Sequence, residues 1–218
     1  YLEGTRAALT AAEDQMESLS QRTIDLYVNI FEHGRAVIST ASVLPSLAAE
    51  PPLNLDAKQS FMLKALKGSA HIDAIYIGYP SGAFVQLMSV ARNQGWLEAV
   101  QAPKETMFTS RIITHSQDGE AISTRRFLDG DGRVIGDSLA TEATFDPRRR
   151  PWYRSATAGT EPVTLGPYLS ASTGSLTLSL AVPMRGAPDT VVATDVMLET
   201  ISQLLAEQAV SEHATGYV

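Results

Sequence analysis

The segment Asp146-Pro147-Arg148-Arg149-Arg150-Pro151-Trp152-Tyr153-Arg154-Ser155-Ala156 sets three consecutive guanidinium groups beside an indole N–H and a phenol, with prolines bracketing the arginines. Pro151 pushes Arg150 out of the α region into extended geometry. It also suits the first position of a short helix, where its missing N–H costs nothing. Trp152 and Tyr153 then fall in the first helical turn, next to unpaired backbone N–H groups. Arg150, Trp152 and Tyr153 gathered in this way form a receptor for a carboxylate. The plainer reading is that the arginine run is a solvated loop and the two aromatics are core.

Asp195 stands out for a different reason. It lies within Val191-Val192-Ala193-Thr194-Asp195-Val196-Met197-Leu198, and a carboxylate inside a strand needs a partner or water. That partner is a ligand cation, one of the arginines, or solvent at an exposed edge. Two other strings invite chemistry and fail. Gly136-Asp137-Ser138-Leu139 spells an esterase nucleophile block, but it lies past mid-chain and no histidine has an aspartate three residues before it, so Ser138 lacks a general base. Asp129-Gly130-Asp131-Gly132 begins like a calcium loop, but Val134 and Ala140 replace the Gly and Glu such a loop requires, which leaves a hairpin turn.

The elements that position these residues follow from periodicity. Residues 5–48 read as one long helix, with a near-heptad seam of Met16, Leu19, Thr23, Tyr27, Ile30, Gly34, Val37, Ala41 and Leu44, stopped by Pro45 and Pro51-Pro52. Such a helix runs on the order of 60 Å, longer than the domain beside it. The seam therefore predicts a dimer interface, or else a helix laid along one large sheet. Asp56 to Gly68 reads as a second helix with Asp56 as N-cap, and Ile72–Tyr79 with Ala83–Met88 as a hairpin. The stretch 92–107 reads as loop with one helical turn at most. Strands are predicted at 111–115, 120–128, 133–136, 176–184 and 190–198, and helices at 151–158 and 199–208. Leu176, Leu178, Leu180 and Val182 alternate on one strand face. The whole is an α+β layout: a long N-terminal helix, then a PAS-like antiparallel sheet with flanking helices.

Composition narrows the function. The 218 residues carry a net charge of −7, which argues against nucleic acid as a partner. There is no cysteine, so disulfides, thiolate metal sites and cysteine nucleophiles are excluded. The four histidines show no metal-ligand spacing, no phosphate-binding glycine loop is present, and no cofactor is expected. No window approaches the apolar length of a membrane span.

The segment 146–156 resembles the DPR-x-RPWY-x-x-A signature of double Cache sensor domains, the extracytoplasmic ligand-binding parts of bacterial receptors, and the likeness extends from about residue 5 to about residue 200. The resemblance implies a non-catalytic, periplasmic sensor of an inner-membrane receptor, anchored only through flanking segments outside this chain. It implies a long signalling and dimerisation helix over 1–52, a membrane-distal PAS-like module over 53–200, and a linker helix over 201–218. In that last stretch Ala214-Thr215-Gly216-Tyr217-Val218 is similar to the opening strand of a second module. Carried over residue by residue, Arg150 and Trp152 hold a ligand carboxylate, while Tyr153, Tyr168 and Asp195 face its other end. Phe145 and Ser170 depart from the family's tyrosine and acidic positions, which weakens the ammonium half of the site. Tyr76, Tyr79 and Met88 are further candidates for the pocket wall; Arg125, Arg126 and Phe127 read as sheet surface. The expected ligand is an amino acid or a small organic acid, with a homodimer through the N-terminal helix. The competing reading is a structural or protein-interaction module with no small-molecule ligand. The output module, whether kinase, chemoreceptor, cyclase or cyclic-dinucleotide enzyme, lies outside the chain.

Overall fold

In the strand β1 (Ala74–Gly78), Ile75 and Ile77 point to one side of the sheet and Ala74 and Tyr76 to the other, and all are buried. Burial on both faces means that the sheet carries a layer on each side. The computed structural model describes residues 2–138 and 140–215. β1 pairs with β2 (Phe84–Ser89) as a hairpin, and β3 (Phe108–His115), β4 (Ala121–Leu128) and β5 (Val134–Asp137) continue outward, with the short β6 (Thr141–Glu142) also on β4. On the other side of β1 lie β9 (Ala187–Met197), β8 (Leu176–Met184) and β7 (Val163–Leu169). The result is a nine-stranded sheet in which every pairing is antiparallel. The fold class expected from sequence holds. β6 and Val163–Leu169 lack clean alternation and were not read from periodicity.

One face of the sheet is covered by the long helix α1 (Leu2–Ser42), the single turn α2 (Pro45–Ala48) and α3 (Leu55–Lys67). Ile38, Leu47, Met62 and Leu66 from these helices meet Ile75, Ile77, Leu87, Leu180 and Val192 from the strands. The opposite face is covered by α5 (Pro151–Thr157), whose Trp152, Tyr153 and Ala156 pack on Ala74, Tyr76, Phe84, Ala181 and Ala193. α4 (Gln94–Ala99) supplies the helical turn within 92–107, and α6 (Leu198–Thr215) leaves the sheet directly after β9.

Four expectations are corrected. The first helix ends at Ser42 rather than near 48: Leu44 is extended, as a residue before proline should be, and Pro45 starts the next turn instead of ending the first. The seam divides along its length, with Ile30, Gly34 and Ala41 buried and Met16, Leu19 and Tyr27 at 73%, 55% and 46% exposure, because the N-terminal part has no sheet beneath it. Asp56 is not the cap of α3; Asn54 holds that position in left-handed geometry, and Asp56 lies in the first turn. The strand expected at 214–218 meets α6 at Ala214 and Thr215, and its remaining residues lie outside the described residues.

Candidate functional site

Arg150 adopts φ −83° and ψ 146° directly before Pro151, the extended conformation that proline imposes on its predecessor, and α5 begins at the proline. The preceding Pro147–Arg149 turn is capped by Asp146, whose carboxylate accepts the Arg148 N–H. Arg148 is thereby occupied: its guanidinium pairs with Asp146 at 2.9 Å and donates to the Pro80 carbonyl. Asp146 is held below the usual carboxylate range by the Arg148 hydrogen bond. Arg150 points the other way. Its Nη2 donates to the Leu169 carbonyl at 3.2 Å and its guanidinium carbon lies 5.9 Å from the Tyr168 ring centroid.

Those contacts bring Arg150 to a small cavity lined by Tyr76, Phe84, Gln86, Phe145, Trp152, Tyr168, Asp195 and the loop residues Ser170, Ala171 and Ser172. The cavity volume is about 20 Å³, room for about one water. Trp152 is edge-on to Tyr76 at 4.8 Å, and Phe84 lies 4.9 Å from Phe145, so the walls are aromatic. α5 reaches the sheet this closely because position 78 is glycine. A Cβ there would stand 2.7 Å from Trp152 Cη2 and 3.0 Å from both Pro147 and Tyr153. On the far wall, a bulge in β7 at Gly166, with φ +117°, lies between Leu165 and Tyr168, and Tyr168 faces Ser179 across the bulge.

Asp195 forms the cavity's charged end. Tyr76 donates to its Oδ1 at 2.5 Å, Ser179 donates to the same oxygen, and the Tyr168 hydroxyl is 2.5 Å from Ser179 Oγ. Ser179 is the direct cross-strand partner of Asp195, which is why a serine on the neighbouring strand reaches it. Among the described residues no protein donor meets Oδ2. Burial raises the Asp195 carboxyl to about 6, against the lowering by Ser179, Tyr76 and the more distant Arg150. The Tyr76 phenol is pushed well up by its own burial and by the neighbouring carboxylate.

Of the residues singled out from sequence, Arg150, Trp152, Tyr168 and Asp195 meet at this cavity, and Tyr76 joins them from the pocket-wall candidates. Tyr153 does not line it; its hydroxyl donates to the Asp189 carbonyl and its ring packs on Trp152 at 5.6 Å. Tyr79 lies on the opposite face of the sheet, donating to the Leu47 carbonyl, and Met88 is buried in the aromatic layer without reaching the cavity. Ser179 and Gln86 were missed by sequence reasoning. The available signal was the alternation of β8: if Leu178 and Leu180 face one way, Thr177 and Ser179 put small hydroxyls on the other. Ser138, the residue of the esterase-like string, accepts the Arg125 backbone N–H.

No family model matches the chain. It is 33% identical over 219 aligned residues to adenylate cyclase 1 of Rhizobium meliloti (strain 1021), an alignment that takes in 100% of this chain and 33% of that protein. The chain thus spans about a third of the length of that curated relative. It is also 38% identical over 65 residues to the methyl-accepting chemotaxis protein PctB of Pseudomonas aeruginosa, covering 29% of this chain and 10% of that one. Among solved structures, the ligand-binding domain of the Pseudomonas fluorescens chemoreceptor CtaA in complex with L-alanine superposes with a TM-score of 0.50 at 20% identity, covering 86% of this chain and 60% of that one. At that identity the likeness is one of fold.

Proposed function

We propose that this chain, whose fold is the Cache-type sensor fold of chemoreceptor ligand-binding domains, is the extracytoplasmic input domain of a bacterial receptor and binds a small carboxylate-bearing molecule, an amino acid or organic acid. One observation carries the reading: Asp195 and Arg150 line the same small aromatic cavity with opposite charges, and the Asp195 Oδ2 has no protein donor among the described residues. A zwitterion fits that arrangement, with its carboxylate toward Arg150 and Trp152 and its ammonium toward Asp195. The CtaA domain is described as holding L-alanine, which makes α-amino acids the first probes here.

With room for about one water, the cavity has to open for such a ligand. The loop over it, residues 170–175, is tied down by Ser172 Oγ donating to Gln86, Trp96 Nε1 donating to the Ser172 carbonyl, and Arg150 donating to Leu169. A ligand that replaces these bonds favours the open form through its differential affinity, which is a population shift. Val196, the residue after Asp195, packs on the other side with Leu26 and Ile30 of α1 and Leu204 of α6. A displacement of β9 at Asp195 therefore reaches both helices that leave the domain. The same small volume favours the alternative, a module that binds a protein partner and no small molecule.

In this reading residues 1–52 form the signalling helix, 53–200 the membrane-distal sensor module and 201–218 the link onward. Two copies meet along the exposed α1 stripe of Leu9, Met16, Leu19 and Tyr27. The domain sits in the periplasm, attached through segments flanking it. Among the described residues no helix is long and apolar enough to cross a membrane. The relative matched along the whole chain makes a nucleotide cyclase the proposed output.

The test is a thermal-shift screen of the domain against α-amino acids, amines and small organic acids, repeated on Arg150→Ala. A selective rise in Tm is what binding to the folded state produces. Arg150→Ala should abolish that rise while leaving the unliganded Tm within about 2 °C, since it removes one exposed hydrogen bond. No shift across the panel, or unfolding of the variant, overturns the proposal.

A further inference from the structure

Along the cavity face of the sheet, Tyr76, Gln86, Arg111 and Arg125 are direct cross-strand partners in one unbroken row over β1, β2, β3 and β4. Two arginines therefore stand side by side on adjacent strands, where like charges are unfavourable. Both are half-buried, and among the described residues neither has a carboxylate within ion-pairing distance. Arg111 donates from Nε to Ser123, and its guanidinium lies over the Phe145 ring at 5.1 Å from the centroid. Arg125 lies over the Trp96 ring at 4.9 Å. Burial lowers both guanidinium pKa values, and for Arg125 the neighbouring Arg111 adds to the effect.

Their surroundings tie them to the cavity rather than to the open sheet surface. Phe145, under Arg111, is a cavity wall, and Gln86, the strand neighbour of Arg111, is another. Trp96, under Arg125, holds the covering loop through Ser172. Strands lie about 4.8 Å apart, so Arg111 stems from a strand roughly 14 Å from that of Asp195. Arg150 and Asp195 offset each other's charge, and the two sheet arginines leave the region with a surplus of positive charge.

Resting on the sensor reading above, we infer that Arg111 and Arg125 form an anion subsite at the β3–β4 end of the cavity, and that the ligand carries a second acidic group there. The class is an α-amino acid with an acidic side chain. Its α-carboxylate and ammonium meet Arg150 and Asp195, and its distal carboxylate lies between the two guanidinium forks. Phe145 is then the ring that holds Arg111 beside the ligand's acidic end.

The experiment is isothermal titration calorimetry of the domain with L-glutamate and L-aspartate against their near-isosteric amides, L-glutamine and L-asparagine, at low and high salt. A charge-assisted pair discriminates strongly against the neutral isostere, so an acid should bind at least about tenfold tighter than its amide. That ratio should shrink with added salt. In the Arg111→Gln/Arg125→Gln double variant the preference should disappear while amide affinity stays within about threefold. Amides binding as tightly as the acids, or a double variant that keeps the preference, overturns the assignment. The acid-to-amide ratio of the unmodified domain decides the matter even if the variant does not fold. Binding of amides without preference removes only the arginine subsite, whereas silence from all four probes and from the wider panel removes the sensor reading itself.

Discussion

Lys58 and Asp195 are both buried charges beside the same sheet, one on each face, and they are satisfied in opposite ways. Lys58 is fully buried on the α3 side and donates to the backbone carbonyls of Ser46 at 3.2 Å and Leu53 at 2.5 Å. Those carbonyls belong to the segment joining α1 to α3, so the cation fastens that segment to α3. Asp195 receives hydroxyls on one oxygen only, and the other has no protein donor among the described residues. A structural charge finds its partners within the chain; in the proposed reading Asp195 leaves part of its hydrogen-bonding capacity to the ligand.

The largest effect belongs to Lys58→Met, which removes two charge-assisted hydrogen bonds, to the Ser46 and Leu53 carbonyls, and should cost about 2–4 kcal/mol in urea denaturation. Ligand affinity of that variant should be unchanged by calorimetry, and a cost below about 1 kcal/mol would mean that Lys58 fastens nothing. Gly78→Ala comes next. Its Cβ would meet Trp152 at 2.7 Å. The overpacking should cost about 1–3 kcal/mol and weaken ligand binding as well, because α5 must lift off the sheet. A fully stable variant with unaltered affinity would show that α5 can shift freely.

The smallest effect separates the two charges most cleanly. The Asp195 carboxyl rises from 3.8 to about 6 on folding, chiefly through burial. The folded state therefore holds this proton more tightly than the unfolded chain does. Its contribution to stability is full below pH 3.8 and is lost as pH rises through about 6. Asp195→Asn should raise the unliganded Tm near neutral pH by about 2–4 °C, with no gain in acid. The same variant should lose affinity for α-amino acids, and wild-type affinity should climb as pH passes about 6, where the carboxylate ionises. A variant less stable than the parent at neutral pH would make Asp195 a structural charge like Lys58.

Much of the site was legible from local sequence, because local rules act on neighbours. A residue before proline is extended, so Arg150 was expected to turn away from the helix that Pro151 starts, and it does. The apolar alternation of 176–184 located β8 with its bounds correct. The boundary errors at 42–48 and at Asp56 came from loops whose geometry depends on what they pack against. Lys58, in α3, gave no sign of its role, because its two carbonyl partners come from the irregular connection before that helix, whose path no periodicity encodes.

The string around Arg150 and the carboxylate in a strand at Asp195 were enough to point to a ligand-binding module, since residue type and nearest-neighbour geometry carry that much. Which tyrosine faces the cavity was not decided locally. Tyr76 and Asp195 are 119 positions apart and meet only because β9 inserts beside β1 in the strand order. Tyr153 lies beside Trp152 in sequence yet spends its hydroxyl on Asp189. Arg125 read as sheet surface and Arg111 only as the start of a strand, until pairing register set them side by side over Phe145 and Trp96. Strand order and register are settled by the burial of whole faces, a property of the assembled sheet that no single segment contains.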